Sequence, residues 1–132
     1  MVSALMVSHY KSFFEKIECV LVENNIKTDW NETGAKALST IMAKPIDLII
    51  IDEKLPDIAG KELVKKVISK KPMINCVVAS PLIKKEFHKA YEGFGVLMQF
   101  PVISGKKEAQ KLLERLKHIL DLQTQTIGIA GE

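Results

Sequence analysis

The chain has 132 residues, of which 47% are hydrophobic and 27% are charged, and its formal net charge is +3. These values are typical of one globular domain, and no apolar run approaches the roughly twenty residues that cross a bilayer. The N-terminus lacks the basic region and long apolar segment of a signal peptide, so we expect a cytoplasmic protein. Glutamates interleave with the lysine clusters, which indicates solvated helix faces rather than a nucleic-acid surface.

The two cysteines, Cys19 and Cys76, both lie within apolar segments. Their spacing suggests neither a metal site nor a disulfide framework. We therefore expect two buried, reduced thiols.

Apolar patterns alternate along the chain between short strands and amphipathic helices. The predicted strands cover residues 2–7, 26–30, 48–52, 76–79 and 96–99. The predicted helices cover residues 11–24, 33–42, 60–70, 83–91 and 106–122. In the second helix we expect Asn31 as the N-cap and an inward face formed by Ala35, Leu38, Ile41 and Met42. Residues 1–123 are expected to form one domain and residues 124–132 a flexible C-terminal tail.

Five strands that alternate with five helices predict an α/β fold, in which a parallel sheet is covered on both faces. The doubly wound strand order 2-1-3-4-5 fits this length, and its crevice lies between the ends of strands one and three. Strand three is an unbroken apolar run that ends at Asp52. This topology brings Ser8, His9 and Asp52 to one mouth of the sheet.

Three blocks of sequence resemble the receiver domain of two-component response regulators, the CheY-like family, over roughly residues 4–122. The first is Asp52 with Pro56 and Gly60, which matches the phosphoacceptor aspartate and its loop. The second, residues 76–80, is a strand that ends in the hydroxyl residue Ser80. The third, residues 93–101, matches Gly-Ala-x-x-Tyr-x-x-Lys-Pro in its length and its ends. The resemblance implies a flavodoxin-like (βα)5 domain in phosphorelay signal transduction.

The resemblance also implies a set of roles at the mouth, which this chain fills only in part. In the family, two acids after strand one and the strand-three Asp hold Mg²⁺, and a Lys after strand five pairs with the phosphate. Phosphoryl transfer needs such cations, and Mg²⁺ needs hard carboxylate ligands. The acid pair falls on Ser8 and His9, the Lys on Phe100 and the switch aromatic on Leu97. We therefore expect a degenerate pseudo-receiver, no cofactor, and at most weak Mg²⁺ binding through Asp52.

Each of the surviving groups has more than one interpretation. Asp52 is either a phosphoacceptor or a strand-end carboxylate satisfied by its loop, and we hypothesise that His9 or the Lys54 ammonium replaces Mg²⁺ beside it. Ser80 is either a phosphate sensor or the start of a turn before Pro81. Phe100 is expected to plug the mouth, or to pack against residue 82 or 103 instead.

Three function classes compete. The favoured one is a degenerate receiver that is not an enzyme and acts by binding a signalling protein, either a histidine kinase or a downstream effector. The usual docking face of the family, formed by helix four, strand five and helix five, here includes Lys84, Lys85, Phe87, Lys89, Lys106, Lys107 and Lys111. The alternative is a true receiver phosphorylated on Asp52 by a histidine kinase. An enzyme is disfavoured because the mouth offers one carboxylate and no pairing of base and nucleophile.

Overall fold

The computed structural model describes the backbone of residues 2–131 and the side chains of residues 2–119. Five parallel strands form one sheet in the order β2-β1-β3-β4-β5. The strands are β1 (Ser3–Val7), β2 (Lys27–Asn31), β3 (Leu48–Asp52), β4 (Asn75–Ala79) and β5 (Met98–Phe100). The helices are α1 (Glu15–Glu23), α2 (Gly34–Ala43), α3 (Gly60–Lys70), α4 (Lys84–Ala90) and α5 (Lys106–Gly131). The predicted fold class and strand order are confirmed.

The sheet separates two hydrophobic cores, because successive side chains of a strand point to opposite faces. Leu48 and Ile50 of β3 pack on one face with α1 and α5, whereas Ile49 and Ile51 pack on the other face with α2, α3 and α4. All five residues of β3 are buried. This double burial explains why the β3 sequence shows no alternation of apolar and polar residues.

Most element boundaries lie within two residues of their predicted positions, with two larger differences. A 3-10 turn (Lys11–Phe14) precedes α1, so the predicted first helix is two segments. Helix α5 continues to Gly131 and includes most of the residues that we expected to form a separate tail. The flexibility of residues 124–132 stays a prediction.

Strand β5 begins two residues later than expected. It follows a turn in which Gly93 and Gly95 adopt φ angles of +84° and +66°, a region that favours glycine. The first backbone hydrogen bond to β4 then runs from the Leu97 N–H to the Cys76 carbonyl.

The predicted N-cap of α2 was wrong. Asn31 is the last residue of β2, where it pairs with Val7 of β1, and the Thr33 hydroxyl accepts the Lys36 N–H at 3.1 Å instead. The inward face of α2 is formed by Ala37 and Ile41 together with the half-buried Leu38. Ala35 and Met42, which we expected to face inward, are exposed.

One cysteine prediction is confirmed and the other was wrong. Cys76 is buried in β4, whereas Cys19 is exposed, because α1 turns its residues 17, 20 and 21 toward the core. Burial raises the pKa of the Cys76 thiol to about 12. Within the described part of the chain, no helix has the length and apolar character that a membrane span requires.

Candidate functional site

The carboxyl ends of four strands meet at one edge of the sheet, which we call the mouth. Asp52 ends β3 and pairs with Ala79 of β4, which in turn pairs with Phe100 at the end of β5. Ser8 directly follows β1, and Ser80 directly follows β4. The predicted convergence of Ser8 and Asp52 is therefore present in the structure.

Both carboxylate oxygens of Asp52 accept hydrogen bonds from the protein. The Ser8 hydroxyl donates to Oδ2 at 3.0 Å, and the Lys54 backbone N–H donates to Oδ1 at 3.0 Å. Asp52 is 8% exposed. The hypothesis that the His9 ring or the Lys54 ammonium satisfies this carboxylate was wrong: its hydrogen-bond partners are a hydroxyl and a backbone amide.

Ser8 is held in place by three further bonds. Its N–H donates to the Asn31 carbonyl at 3.1 Å, which continues the parallel pairing of β1 with β2 by one residue. Its carbonyl accepts the Trp30 indole N–H at 3.0 Å, and its hydroxyl accepts the Tyr10 N–H at 3.3 Å. Trp30, which sequence analysis did not connect to the mouth, thus helps to fix the residue that contacts Asp52.

His9 lies in a bend after β1, and it is not a hydrogen-bond partner of Asp52. It is exposed, and its ring packs edge-on against Tyr10 with ring centroids 4.8 Å apart. The nearby Glu32 carboxyl has a pKa lowered chiefly by its hydrogen bond and charge interaction with Lys36, and to a smaller extent by His9. His9 therefore belongs to the outer surface of the β1–α1 loop.

The Ser80 hydroxyl is engaged within its own loop, where it accepts the Leu82 N–H at 3.2 Å. Of the two interpretations of Ser80, the start of a turn describes this geometry. The Gln99 side-chain amide also donates to the carbonyls of Ser80 and Leu82, at 3.2 and 2.8 Å. Gln99 thereby fastens the β4–α4 loop to β5, a role that its position in the sequence did not signal.

Phe100 neither plugs the mouth nor packs against Leu82 or Ile103. It is fully buried in the core beneath α1 and α5 and belongs to the same hydrophobic cluster as Phe14 and Leu112. Leu97, at the position of the family's switch aromatic, packs half-buried against the same core. The two positions thus serve the hydrophobic core on the α1 and α5 side of the sheet.

Two further acids follow Asp52 and were not identified from the sequence. The Asp57 carboxylate accepts the N–H groups of Gly34 and Ala35, both at 2.9 Å, and so caps the N-terminus of α2. Burial raises the pKa of Asp57, but these backbone hydrogen bonds outweigh it and leave the pKa lowered. The Glu53 carboxylate accepts the Tyr91 hydroxyl at 2.8 Å.

The described residues of the mouth do not fit a Mg²⁺ site of the kind that the resemblance implies. Mg²⁺ is held through carboxylate oxygens in near-octahedral geometry. Asp52 is the carboxylate of the mouth, Ser8 offers a hydroxyl, and the Glu53 carboxylate is bonded to Tyr91. Among the residues searched, no group of three His, Cys, Asp or Glu side chains could hold a metal ion.

Comparison with protein-family models found no match, and comparison with curated proteins found none either. Solved structures do match. A CheY-like receiver domain from Methanospirillum hungatei JF-1 superimposes with a TM-score of 0.79 at 21% identity, covering 96% of this chain and 98% of that one. The chemotaxis response regulator CheY4 of Vibrio cholerae gives a TM-score of 0.78 at 20% identity, covering 87% of this chain and 98% of that one. A two-component response regulator from Clostridium difficile gives 0.78 at 20% identity, covering 92% and 97%. The chain therefore has the fold of the CheY-like response-regulator receiver domains.

Proposed function

We propose that this chain is a receiver-type domain of two-component signalling that acts mainly through protein–protein binding, with an impaired pocket for Mg²⁺ and phosphate. The observation that carries the proposal is the environment of Asp52. Its carboxylate is satisfied by the Ser8 hydroxyl and by the Lys54 backbone N–H, and among the residues searched no group of three His, Cys, Asp or Glu side chains could hold a metal ion there. The role is that of a binding module and not of an enzyme.

The lack of a positive charge at the position of the family's lysine supports the same proposal. A phosphorylated aspartate needs positive charge to neutralise the phosphate oxygens. The position that would supply it is Phe100, which lies in the core. The Ser80 hydroxyl, the remaining candidate to contact a phosphoryl group, is neutral and supplies no positive charge, and it is positioned by the bond that it accepts from its own loop. An acyl phosphate at Asp52 would thus gain little stabilisation from this pocket.

The proposed partner is a signalling protein, a histidine kinase or a downstream effector, rather than a nucleic acid or a membrane. We place it on the face formed by α4, β5 and α5, where a cleft of about 580 Å³ runs between the two helices. Exposed lysines border this face: Lys84, Lys85, Lys89, Lys106, Lys107 and Lys111. Phe87, which we expected to belong to this face, is mostly buried and lines the cleft. Apolar surface rimmed by lysines favours a partner that carries both apolar and acidic groups.

The test is modification of Asp52 under conditions that favour it most. The protein is incubated with acetyl phosphate, or with beryllofluoride, in the presence of Mg²⁺. Intact-mass spectrometry reads the product, and ¹⁵N chemical shifts read the environment of the Lys54 amide. We expect no stoichiometric modification and no saturable shift. The matched control is Asp52→Asn, which keeps one hydrogen-bond acceptor at the mouth but cannot be phosphorylated.

A robust modification of the wild-type chain that is absent from Asp52→Asn would contradict the proposal. It would establish the alternative, a receiver that takes a phosphoryl group on Asp52 from a histidine kinase.

A further inference from the structure

We propose that the hydrogen bond between Glu53 and Tyr91 couples the loop that follows Asp52 to helix α4, so that a change at either one alters the other. The Tyr91 hydroxyl donates to the Glu53 carboxylate at 2.8 Å, over 38 residues of sequence. Tyr91 directly follows α4 and is 5% exposed. Glu53 directly follows Asp52. The bond thus joins the mouth of the sheet to α4.

We expect the stability of helix α4 to depend strongly on this hydrogen bond, because α4 is short. A longer helix has more contacts and depends less on any single bond. Helix α4 has seven residues, and Phe87 is its buried residue. A helix so short is not stable alone and is held by its tertiary contacts. The Tyr91 ring stacks on Phe87 with centroids 4.5 Å apart and meets Phe94 edge-on at 6.1 Å. The position of Tyr91 therefore determines where the C-terminal half of α4 packs against the core.

The Glu53 end of the bond is held rigidly. The Glu53 N–H donates to the Ala79 carbonyl at 3.0 Å, and its carbonyl accepts the Gly60 N–H at 3.0 Å. The first residue of α3 packs so closely there that a Cβ on Gly60 would lie 2.7 Å from the Glu53 Cα. Because the Glu53 backbone is fixed on both sides, it cannot absorb a displacement of the Asp52 backbone by moving on its own. We therefore expect such a displacement to move the Glu53 side chain and, through the hydrogen bond, Tyr91.

The bond also replaces a connection that this chain lacks. The resemblance implies a relay from the aspartate through a hydroxyl residue to an aromatic on strand five. Here the Ser80 hydroxyl is bonded to its own loop, and the aromatic position is Leu97.

Tyr91 keeps its proton and can donate to Glu53 at neutral pH. Burial, reinforced by the hydrogen bond to Glu53, raises the pKa of the Tyr91 hydroxyl further above neutral.

Coupling of this kind is reciprocal, since whatever stabilises one arrangement of α4 must stabilise the matching arrangement of the loop to the same extent. A partner that contacts α4 would therefore alter the surroundings of Asp52 without touching it. That use of the coupling in signalling rests on the proposed function. The coupling itself is a property of the isolated chain, and its test needs neither a partner nor phosphorylation.

The experiment is amide hydrogen exchange and ¹⁵N chemical shifts on the full chain, compared among wild type, Tyr91→Phe and Glu53→Gln. Tyr91→Phe keeps the ring and removes the donor, and Glu53→Gln keeps an acceptor and removes the charge. We expect exchange of the α4 amides to rise about tenfold in Tyr91→Phe, the scale of losing a hydrogen bond to a charged group. Glu53→Gln is expected to give a smaller rise. Tyr10→Phe is the matched control, because Tyr10 is 66% exposed.

The second arm perturbs the other end of the bond. Asp52→Asn is introduced into the wild type and into Tyr91→Phe, and the α4 amide shifts that it causes are compared. We expect these shifts in the wild-type background and their loss when the Tyr91 hydroxyl is absent. Equal α4 shifts in both backgrounds would contradict the proposal, as would exchange in Tyr91→Phe that rises equally in α2 and α4. Failure of Asp52 to be phosphorylated has no bearing on either readout.

Discussion

The Ser8 hydroxyl donates a hydrogen bond of 3.0 Å to the carboxylate of Asp52, across the ends of two neighbouring strands. Ser8 is fully buried and Asp52 is nearly so. In such a place water cannot readily replace a lost partner, so removing one group leaves the other unsatisfied. The pair is therefore a buried contact that holds the ends of β1 and β3 together.

A double-mutant cycle measures this contact. We expect Asp52→Ala to lower the free energy of unfolding by about 1–3 kcal/mol, because the buried Ser8 hydroxyl loses its acceptor. Ser8→Ala is expected to cost at least as much, because it leaves a buried carboxylate without one of its donors, and the double variant should cost less than the sum of the two. Urea denaturation supplies the values, with the exposed Ser69→Ala as the control. Additivity of the two changes to within about 0.5 kcal/mol would show that the groups do not interact.

Rebuilding the acid pair is expected to create a Mg²⁺ site. In Ser8→Asp/His9→Asp, the new carboxylate at position 8 would face Asp52, and this like-charge contact should lower the melting temperature without metal. Bound Mg²⁺ should then raise it, since a ligand that binds only the folded state stabilises that state. Thermal unfolding with and without millimolar MgCl₂ gives the comparison, and the wild type should respond little. The same variant with Asp52→Asn should lose most of the response. If Mg²⁺ raised the melting temperature of the wild type as much as that of the double variant, the wild-type mouth would already bind Mg²⁺, which would contradict the proposed impaired pocket.

Gly60→Ala is expected to destabilise the fold at the loop after Asp52. The added Cβ would lie 2.7 Å from the Glu53 Cα, and the backbone at that contact cannot move aside as a side chain would. Overpacking of this kind costs about 1–3 kcal/mol. Gly105→Ala is the matched control, because its nearest neighbour would be a lysine side-chain carbon at 3.8 Å. Chemical denaturation of both variants decides the matter, and equal effects at the two positions would contradict the packing argument.

The buried thiol of Cys76 predicts a loss of stability at high pH. Burial raises its pKa from an ordinary 9.0 to about 12 in the folded chain. Between these values the unfolded chain has released the proton and the folded chain has kept it. The unfolded state therefore binds fewer protons, and stability falls as pH rises, by up to about 1.4 kcal/mol per pH unit. The slope of unfolding free energy between about pH 9 and 11 should be shallower in Cys76→Val. An unchanged slope would mean that the Cys76 thiol does not contribute to the pH dependence of the unfolding free energy.

The fold was predictable because its signals are local and repeated. The apolar run of β3, the helical stripes and the glycine-rich turn before β5 each mark their element, and the strand order follows from the alternation. Cys19 lies between the core-facing residues of α1 in the sequence but is itself turned outward. Asn31 does not cap α2 because β2 extends one residue further than predicted.

The partners of Asp52 were not predictable in the same way. Ser8 and His9 are adjacent, and whichever one faces inward depends on whether the β1 pairing extends to residue 8. The Ser8 N–H continues that pairing, so the serine faces the carboxylate and the histidine faces outward. The bonds of Glu53 to Tyr91 and of Gln99 to the β4–α4 loop join residues 38 and up to 19 positions apart. No local pattern marks such pairs.

The three acids at positions 52, 53 and 57 attach one short segment in three directions: to Ser8, to Tyr91 and to the N-terminus of α2. These attachments place different constraints on how the sequence can change. Two of them depend on a particular side chain at the far end, so sequences that diverge from this one should change positions 53 and 91 together, and 52 and 8 together. The third is made to backbone N–H groups, which every residue but proline supplies, so the residue at position 35 can change without a compensating change at position 57.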